Sequence, residues 1–517
     1  MQTYSRTRAV IVLVATTLAF TVCVAVWMMY GVLITFLVDT GVYRWNRAEI
    51  GWLIGTPVLS GAVLSLPAGV LTDRFGGRTV MTILLLATSI PVFFVSQAES
   101  YAHLLLAGLG VGMSGAAFAV GAGYVSLWFR PERQGLVLGL FGVGLVGAAL
   151  TNLIEPRLLD ALTRDGTSPH LWRLMPAYYS VALIATAAVF WLSTSDRRID
   201  DGNGQSLVAC LAPLRLARVW RFGLYYSFVF GGFVALSQWL LPYYVNVYST
   251  SVATAGVLAA AFALSAAIVR APGGWLSDRV GARRVLTWAL TSSLVVLVLL
   301  LPPRVDLQAP GPGIAALREG TVSFVSPTEV VVGDDRYLLQ QAGAEAKPVS
   351  FSIHHAEESF LLLPTATFRQ IPVVRRGDQV AKGQLLVQGV THVYFQANQW
   401  IFTALVLVLG IAMGLGGGAV LKLIPSYFPE GVGVVSGAVA MLGTLGGFVY
   451  PILFGYLLNV SGIWTTNWLL LAGVALVCLR WFRATVRRVG STTRPVPAIY
   501  RHHRRESRDK GSSPRTV

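Results

Sequence analysis

The chain has 517 residues, of which 54% are hydrophobic and only 12% are charged, and its formal net charge is +16. This composition excludes an ordinary soluble protein, and the basic residues lie mostly in short loops and the C-terminal tail, so no nucleic-acid partner is predicted. The three cysteines, Cys23, Cys210 and Cys478, are far apart and give no disulfide framework or metal site. Phosphate-loop and hydrolase motifs are absent from the sequence, so we predict no enzyme, no ATP-driven pump and no cofactor.

Apolar segments long enough to cross a bilayer recur along the whole chain. The first follows Arg6 and Arg8 and is too long for a signal-peptide core, so we predict that it is retained as a helix. The fold class predicted is therefore an all-α polytopic membrane protein with two six-helix pseudo-repeats. The twelve segments lie near residues 9–39, 47–72, 78–97, 101–128, 134–160, 172–194, 220–248, 252–276, 283–302, 397–427, 431–460 and 463–485.

These segments and the polar stretches between them divide the chain into six regions. We predict an N-terminal bundle, a cytoplasmic connector, helices seven to nine, a β-rich insertion, helices ten to twelve and a basic tail. Their bounds are 1–195, 196–219, 220–302, 303–396, 397–485 and 486–517.

Basic residues collect in the loops that follow the even-numbered helices. By the positive-inside rule, both termini are then cytoplasmic and the insertion lies on the other side, with the protein in the plasma (inner) membrane of a bacterial cell. The basic tail is interpreted as a positive-inside anchor in the same charge pattern, with contact to anionic lipids of the bilayer as the alternative. The residues that carry the pattern include Arg74 and Arg78, Arg130 and Arg133, Arg197 and Arg198, and Arg279, Arg283 and Arg284.

One loop phrase is written twice, about 200 residues apart. Gly69-Val-Leu-Thr-Asp73-Arg74-Phe-Gly76-Gly-Arg78 returns as Gly274-Trp-Leu-Ser-Asp278-Arg279-Val-Gly281-Ala-Arg283. A duplication in register indicates two homologous bundles, an architecture in which transporters bind substrate near the bilayer midplane. Its glycines allow close helix contact, and its aspartate can cap a helix start or pair with arginine across the bundle.

The two repeats differ at one position inside the membrane. Arg270 stands eight residues before Asp278, whereas Ser65 stands eight residues before Asp73. An arginine at membrane depth costs a few kcal/mol and stays charged. Without a partner of opposite charge it indicates an anion site. The alternative is an arginine satisfied by carbonyls near Pro272 or extended toward the nearer membrane surface.

With its duplicated Gly-x-Leu-x-Asp-Arg-x-Gly-x-Arg loop, the chain resembles the major facilitator superfamily. The resemblance covers all twelve helices but not the insertion, and it implies a cytoplasmic gate formed by the two motif copies. Within the superfamily, the stretches 118–135, 226–237, 270–278, 418–429 and 446–451 are similar to those of the nitrate/nitrite porters.

This resemblance implies a set of substrate-binding residues. The two nitrate-binding arginines of the family fall at Ser65 and Arg270, and its ring positions beside the planar anion fall at Phe118 and Tyr226. Two glycine-rich segments complete the site, at Gly144 on helix five and Gly417 on helix ten. The chain departs from the family because one arginine is a serine and because Leu145 and Gly417 stand where asparagines are usual.

Trp27, Tyr30 and Phe233 lie on helices expected to line the pathway, although each by itself is also explained by packing. Glycine ladders on helices five and eleven predict close, sliding contacts between the halves. They comprise Gly135, Gly139, Gly142, Gly147, Gly437, Gly443, Gly446 and Gly447.

No aspartate or glutamate is expected well inside a helix, which favours anion exchange, or symport with a titrating substrate, over a carboxylate proton relay. Sodium coupling stays open because carbonyl and hydroxyl oxygens suffice for it.

The insertion contains short alternating runs that predict strands, at Gly320–Val325, Glu329–Val332 and from Gln384. Residues 373–389 resemble half of a barrel-sandwich hybrid, without the lysine that a swinging-arm carrier needs. Loop residues His354, His355, Glu357 and Glu358 are interpreted as solvated, so no metal site is predicted. A lid, or docking of an unidentified periplasmic partner, is the expected role.

The sequence thus predicts a secondary transporter of a small inorganic anion, nitrate or nitrite by resemblance, working by alternating access. Two alternatives remain open. One is a transporter of another small anion such as a carboxylate, and the other is a receptor or assembly protein that uses the insertion.

Overall fold

The structure is a computed structural model that describes residues 6–129, 134–163, 167–196, 212–301, 305–339, 365–395, 398–428 and 432–490. Arg130, Arg133, Arg197 and Arg198, residues 354–358 and most of the basic tail lie outside the described residues.

Six helices form the first repeat. The start of the second one illustrates the local logic, because Asn46 and Glu49 form a reciprocal capping box at the first turn, with both N–H···O distances 2.8 Å. The helices are α1 (Arg6–Asp39), α2 (Arg47–Phe75), α3 (Gly77–Val95), α4 (Tyr101–Ser126), α5 (Gln134–Gly142 continued by Val146–Thr163) and α6 (Leu174–Ser193).

The second repeat also has six helices, and the described residues contain eleven candidate membrane spans by length and composition. One span, Val252–Leu299, is 48 residues long. Since about 20 residues cross a bilayer once, it accounts for two predicted helices, and the all-α prediction with a β insertion is confirmed. The helices are α7 (Ala217–Tyr248), α8 (Val252–Leu276), α9 (Ala282–Leu299), α10 (Gln399–Tyr427), α11 (Val432–Ser461) and α12 (Thr466–Gly490).

The duplicated loops owe one of their glycines to backbone conformation. Gly76 and Gly281 have φ of 89° and 96°, a region that residues with a side chain rarely adopt. Asp73 lies in the last turn of α2, one turn before Gly76, so the expectation that the motif aspartate caps a helix start is wrong.

The two halves pack most tightly at the end of the bundle where α2 and α8 begin and α5 and α11 end, here called the tight end. A Cβ added to Gly51 would lie 2.6 Å from the Pro451 carbonyl oxygen, and one added to Gly256 would lie 2.3 Å from that of Asn152. Asn152 Nδ2 also donates to the Ser237 carbonyl at 2.8 Å. Backbones of opposite halves therefore touch directly at this end.

The opposite end is packed less closely between the halves. Cβ atoms at Gly139 and Gly437 would find their nearest neighbours at 3.7 and 3.6 Å, which is ordinary contact. A Cβ at Gly447 would lie 3.1 Å from Val58 Cγ1 of the other half, but two ladder glycines pack within their own half: Gly147 lies against the α1 backbone at Thr21, and Gly443 lies against the ring of Tyr226. The expectation that both ladders form the sliding surface between the halves is wrong for these positions.

The insertion forms a compact unit of its own, residues 300–404. Its strands make two antiparallel sheets, with orders β1-β7-β5 and β4-β3-β2-β6, around a small apolar core that includes Val322, Val330 and Leu386. A tight turn precedes β6 in the stretch 373–389, where the Arg375 N–H donates to Asp378 Oδ2 at 2.8 Å. The strands are β1 (Val305–Ala315), β2 (Gly320–Val325), β3 (Glu329–Val332), β4 (Asp335–Leu338), β5 (Thr365–Pro372), β6 (Gln379–Val380) and β7 (Leu385–Phe395).

The close contact at the tight end predicts the effect of adding a side chain at Gly256. Gly256→Ala is expected to lower the unfolding temperature of the detergent-solubilised protein, by the equivalent of roughly 1–3 kcal/mol, because a backbone oxygen cannot move aside. Gly473→Ala is the matched control, since a Cβ there has no neighbour within 4 Å. Equal unfolding temperatures for the two variants would contradict the close contact at Asn152.

Candidate functional site

Arg270 lies in α8, six residues before the helix ends at Leu276. At 1.5 Å per residue, its Cα is about 9 Å from that end along the helix axis. The side chain is partly buried, and no carboxylate pairs with it among the described residues. The guanidinium is therefore a cation inside the bundle without a counter-ion.

Three aromatic rings surround this cation. The Arg270 Cζ atom lies 5.9 Å from the centroid of the Phe118 ring, 5.7 Å from that of Tyr226 and 5.3 Å from that of Phe230. Tyr226 and Phe230 stack on each other with centroids 5.1 Å apart. Ring faces attract a cation without neutralising it, so they hold the guanidinium in place and leave its charge available.

Hydrogen-bond donors converge at the same place. One guanidinium N–H of Arg270 donates to the Tyr226 hydroxyl, and this is the only hydrogen bond of Arg270 among the described residues. A guanidinium has five N–H donors. The Tyr226 oxygen accepts from Arg270, and within the described part of the chain its own proton has no acceptor. The remaining N–H groups and this O–H suit an anion.

A small cavity of about 10 Å³ adjoins Arg270. This is room for about one water molecule, so an anion with three oxygens requires its walls to move. Met413, which is unbranched and adaptable, forms one of them. The lining residues are Leu145, Val229, Phe230, Phe233, Ala266, Arg270, Met413, Gly414 and Gly417.

Close packing of α10 against α8 places Gly417 beside the cation. A Cβ at Gly417 would lie 3.9 Å from Arg270 Cζ, whereas one at Gly418 would lie only 2.8 Å from the Arg270 carbonyl oxygen. Gly417 therefore leaves space next to the guanidinium, and Gly418 lets the two backbones touch.

The structure brings four of the six predicted substrate-binding residues together: Arg270, Tyr226, Phe118 and Gly417. Ser65 is not among the residues that line the cavity, and its hydroxyl donates to the Gly61 carbonyl of its own helix at 2.7 Å. Gly144 faces Phe20, whose ring a Cβ would meet at 2.4 Å, so it supports the aromatic cluster indirectly.

Sequence reasoning missed Phe230 and treated Leu145 only as a lost asparagine, yet both line the cavity. Phe230 lies in a π-helical turn, Ser227–Gly231, that interrupts α7 next to Tyr226. Such turns shift the facing of side chains and often occur at functional sites. The four-residue spacing of Tyr226 and Phe230 was the available signal.

Two other aromatic residues serve packing in the N-terminal half. Trp27 Nε1 donates to the Pro57 carbonyl at 3.1 Å, and the buried Tyr30 hydroxyl donates to that of Leu104 at 2.8 Å. Only Phe233 of the three named pathway aromatics lines the cavity.

The first motif copy is anchored within its own half. Arg78 donates twice to the Trp191 carbonyl, at 3.1 and 2.6 Å, and its guanidinium stacks on the Trp191 ring. Thr79 donates to Asp196 at 3.0 Å. Asp73 is exposed and has no hydrogen bond or ion pair among the described residues, so no cross-bundle latch is formed there in this conformation.

The second copy is also anchored within its half. Asp278 pairs with Lys422 of α10 at 2.6 Å, although both side chains are more than half exposed. Arg279 stacks on Trp275, and Arg283 approaches the ring of Tyr427. An exposed pair of this kind contributes at most about 1 kcal/mol and can exchange partners readily.

One acidic side chain contradicts the sequence expectation. Glu155 is in α5, is fully buried, and lies eight residues before the helix ends at Thr163. The prediction that no aspartate or glutamate lies well inside a helix is wrong. It failed because the neighbouring helices bury this side chain, which the position of Glu155 near the end of an apolar segment does not reveal.

These features define a polytopic membrane protein of two six-helix repeats with a positively charged site between them. A profile of the Major Facilitator Superfamily matches residues 16–331 and 384–511, and the chain belongs to that superfamily.

Relatives narrow the comparison. The chain is 34% identical over 480 residues to the probable nitrate/nitrite antiporter NarK1 of Thermus thermophilus, covering 92% of this chain and 91% of that protein. It is 23% identical over 451 residues to the nitrite extrusion protein of Bacillus subtilis, covering 87% and 88% of the two chains. The resemblance to the nitrate/nitrite porters is thereby confirmed.

Among solved structures, a bacterial homologue of the human lysosomal transporter Spinster, in an inward-facing and occupied conformation, matches with a TM-score of 0.60. The match covers 95% of this chain and 100% of that one at 15% identity. It supports the fold alone.

Gly417 and Gly418 form a matched pair for testing the site. Gly418→Ala is expected to destabilise the protein, because its Cβ would meet backbone at 2.8 Å. Gly417→Ala is expected to fold normally and to change anion binding, because its methyl group fills space beside Arg270. Unfolding temperatures of both variants, measured with anion affinity, check this. Equal effects on stability would contradict the described α8–α10 contact.

Proposed function

We propose that this protein binds nitrate or nitrite at Arg270 and carries it across the plasma membrane by alternating access, with both termini in the cytoplasm. This proposal rests mainly on the guanidinium of Arg270. It lies inside the bundle, has no counter-ion in the described chain, and keeps most of its N–H donors unpaired. The names of the relatives supply the substrate class.

The aromatic cluster favours a flat, small anion. Rings of Phe118, Tyr226 and Phe230 surround the cation at 5.3 to 5.9 Å, which confines the anion to the remaining directions. Guanidinium N–H groups and the Tyr226 O–H would then donate to its oxygens. Charge-assisted bonds of this kind are the strong ones.

The conformation fits an inward-facing state if the tight end is extracytoplasmic. The positive-inside pattern places that end outside, because α2 and α8 begin there and their basic loops follow at the other end. An unlatched Asp73 is consistent with an open cytoplasmic side. Rocking of the two halves would exchange the tight contacts at Gly51 and Gly256 for a closure near the motif loops.

A small carboxylate is the second candidate substrate. Leu145 gives the cavity an apolar wall, and Gly417 gives it a wall without a side chain. An asparagine at either position would instead offer a polar amide to the anion. An anion with an apolar end fits such a wall. For the insertion, which forms a separate unit, we propose a role as a lid or as a docking module for an extracytoplasmic partner.

The test is counterflow in proteoliposomes loaded with nitrite or nitrate. Arg270→Ala is expected to lower the initial rate roughly tenfold or more, because each charge-assisted bond contributes about 1.5–3 kcal/mol. Arg270→Lys keeps the charge but loses the planar fork and should be intermediate. Arg483→Ala, an exposed arginine on α12, is the control.

Ser65→Arg completes the series. A higher affinity in this variant would identify the missing second charge as the element that tunes the site. Competition with formate and acetate separates the two substrate classes. A folded wild-type protein without flux of any of these anions would contradict the transporter proposal and favour a receptor role.

A further inference from the structure

Glu155 is the buried charged-type residue that the anion site does not use. It lies in α5, which packs against α1, α6, α7 and α8, and its hydrogen-bond partner among the described residues, Tyr179, is on α6 of the same half. Its carboxyl Oε2 is 3.2 Å from the Tyr179 hydroxyl, and its Oε1 is buried with no hydrogen-bond partner among the described residues. An ionised carboxylate with one unsolvated oxygen is expensive at such a place.

Within the described ranges, no cation pairs with this carboxyl. Arg157, on the same helix, donates to the Leu153 carbonyl at 2.6 Å, and Arg173 donates to that of Ser96 at 3.1 Å. Among the titratable and charged groups of the packed elements, only Tyr179 hydrogen-bonds Glu155 in the described chain. The others are Arg8, Cys23, Tyr30 and Asp39 of α1, Arg157 and Asp160 of α5, His170, Arg173 and Tyr178 beside or on α6, Arg218, Arg221, Tyr225, Tyr226, Tyr243, Tyr244 and Tyr248 of α7, and Arg270 of α8.

A short chain of hydrogen-bonding groups surrounds Glu155, and a protonated carboxyl fits it completely. Thr151 donates to the Ala25 carbonyl at 2.9 Å, and a carbonyl can only accept. The Thr151 oxygen is then free to accept from the Tyr179 hydroxyl, 3.3 Å away. The single Tyr179 proton can go to Glu155 Oε2, 3.2 Å away, or to Thr151, and in the second case the Tyr179 oxygen accepts from a protonated Glu155. A protonated Glu155 satisfies each contact in the series Glu155–Tyr179–Thr151–Ala25.

The place of Glu155 in the fold couples its proton to the tight end. Asn152, one turn earlier, donates across the halves to the Ser237 carbonyl, and its own carbonyl oxygen abuts Gly256. Opening the tight end would separate these groups and admit water to the turn that carries Glu155. Closing it again would remove that water, and with it the solvation that a carboxylate needs.

We infer that Glu155 is a proton-binding site, which takes up a proton from water when the tight end is open and keeps it when that end closes. The step is a single proton transfer: an O–H bond of hydronium breaks as the O–H bond of the Glu155 carboxyl forms, and a water molecule is left. Closure at this end then requires one proton, so transport depends on the pH of the solution that the tight end faces. The transport part of this inference rests on the proposed function, whereas the protonated carboxyl does not.

Infrared spectroscopy tests the proton directly and without transport. The purified protein is expected to show the C=O stretch of a buried carboxylic acid at neutral pH, and Glu155→Gln should lose this band. Tyr179→Phe should retain the band at a shifted frequency, because the acid loses its acceptor. Absence of the band from folded wild-type protein, or its persistence in Glu155→Gln, would overturn the inference.

Flux measurements then test the coupling. In proteoliposomes of uniform orientation, the initial rate of wild-type protein should fall as the pH facing the tight end rises. Glu155→Gln, which is permanently neutral, should lose this dependence and keep its rate at high pH. Glu99 is an exposed residue near the same end, and Glu99→Gln is the control. Its transport rate should depend on pH as that of wild-type protein does. A wild-type pH profile in Glu155→Gln would refute the coupling, and absence of wild-type flux would count against the proposed function only.

Discussion

The structure depends on one electrostatic constraint: the Arg270 guanidinium must be kept inside a membrane bundle without a counter-ion among the residues that the structure describes. On insertion scales an arginine at bilayer depth costs about 2.5–3.5 kcal/mol. Three rings and the Tyr226 hydroxyl offset part of this cost without cancelling the charge. Close contact of α8 with α10 at Gly418 brings the bare backbone of Gly417 beside the cation. The surroundings of Arg270 are thus arranged so that an anion completes them.

A second constraint lies at the tight end, where polar groups are buried between the halves. Asn152 bridges to Ser237, while the side chain of Gln238 is buried with no partner in the described part of the chain. Buried unpaired polar groups cost free energy that water would relieve. The contact is therefore close in shape but incompletely satisfied in hydrogen bonds. Such an interface can open at moderate cost, as alternating access requires.

Arg270 on α8 and Glu155 on α5 are given complementary electrostatic roles by the two proposals. We propose that Arg270 stays charged and attracts the substrate, and that Glu155 is neutral while the tight end is closed. If both proposals hold, an anion and a proton approach from the same side. Their opposite charges would then lower the net charge moved through the bundle.

The sequence predicted the parts that periodicity and repetition control. All twelve helices fall within a few residues of their expected bounds, because long apolar runs and the duplicated loop at Asp73 and Asp278 mark them. It could not predict which side chains face the cavity, since the π-helical turn at Ser227–Gly231 and the short 3₁₀ turn at Val143–Leu145 change the helical register locally. Phe230 and Leu145 were missed for that reason.

Ser65 shows the limit of inference from a repeat. The duplication places Ser65 opposite Arg270, but its hydroxyl is committed to its own helix at Gly61. Glu155 was missed for a different reason, because burial depends on the neighbouring helices and not on the distance from a segment end. The resemblance to a family predicted the type of site, whereas the side chains that line the cavity depend on how the helices pack.

The most direct test of anion binding at Arg270 is calorimetric titration with nitrite and with nitrate. The purified wild-type protein and the variants Arg270→Ala and Arg270→Lys would be titrated in parallel. We predict saturable binding of at least one anion by wild-type protein, weaker binding by Arg270→Lys and none by Arg270→Ala. Binding of unchanged affinity to folded Arg270→Ala would contradict the claim that this guanidinium holds the substrate.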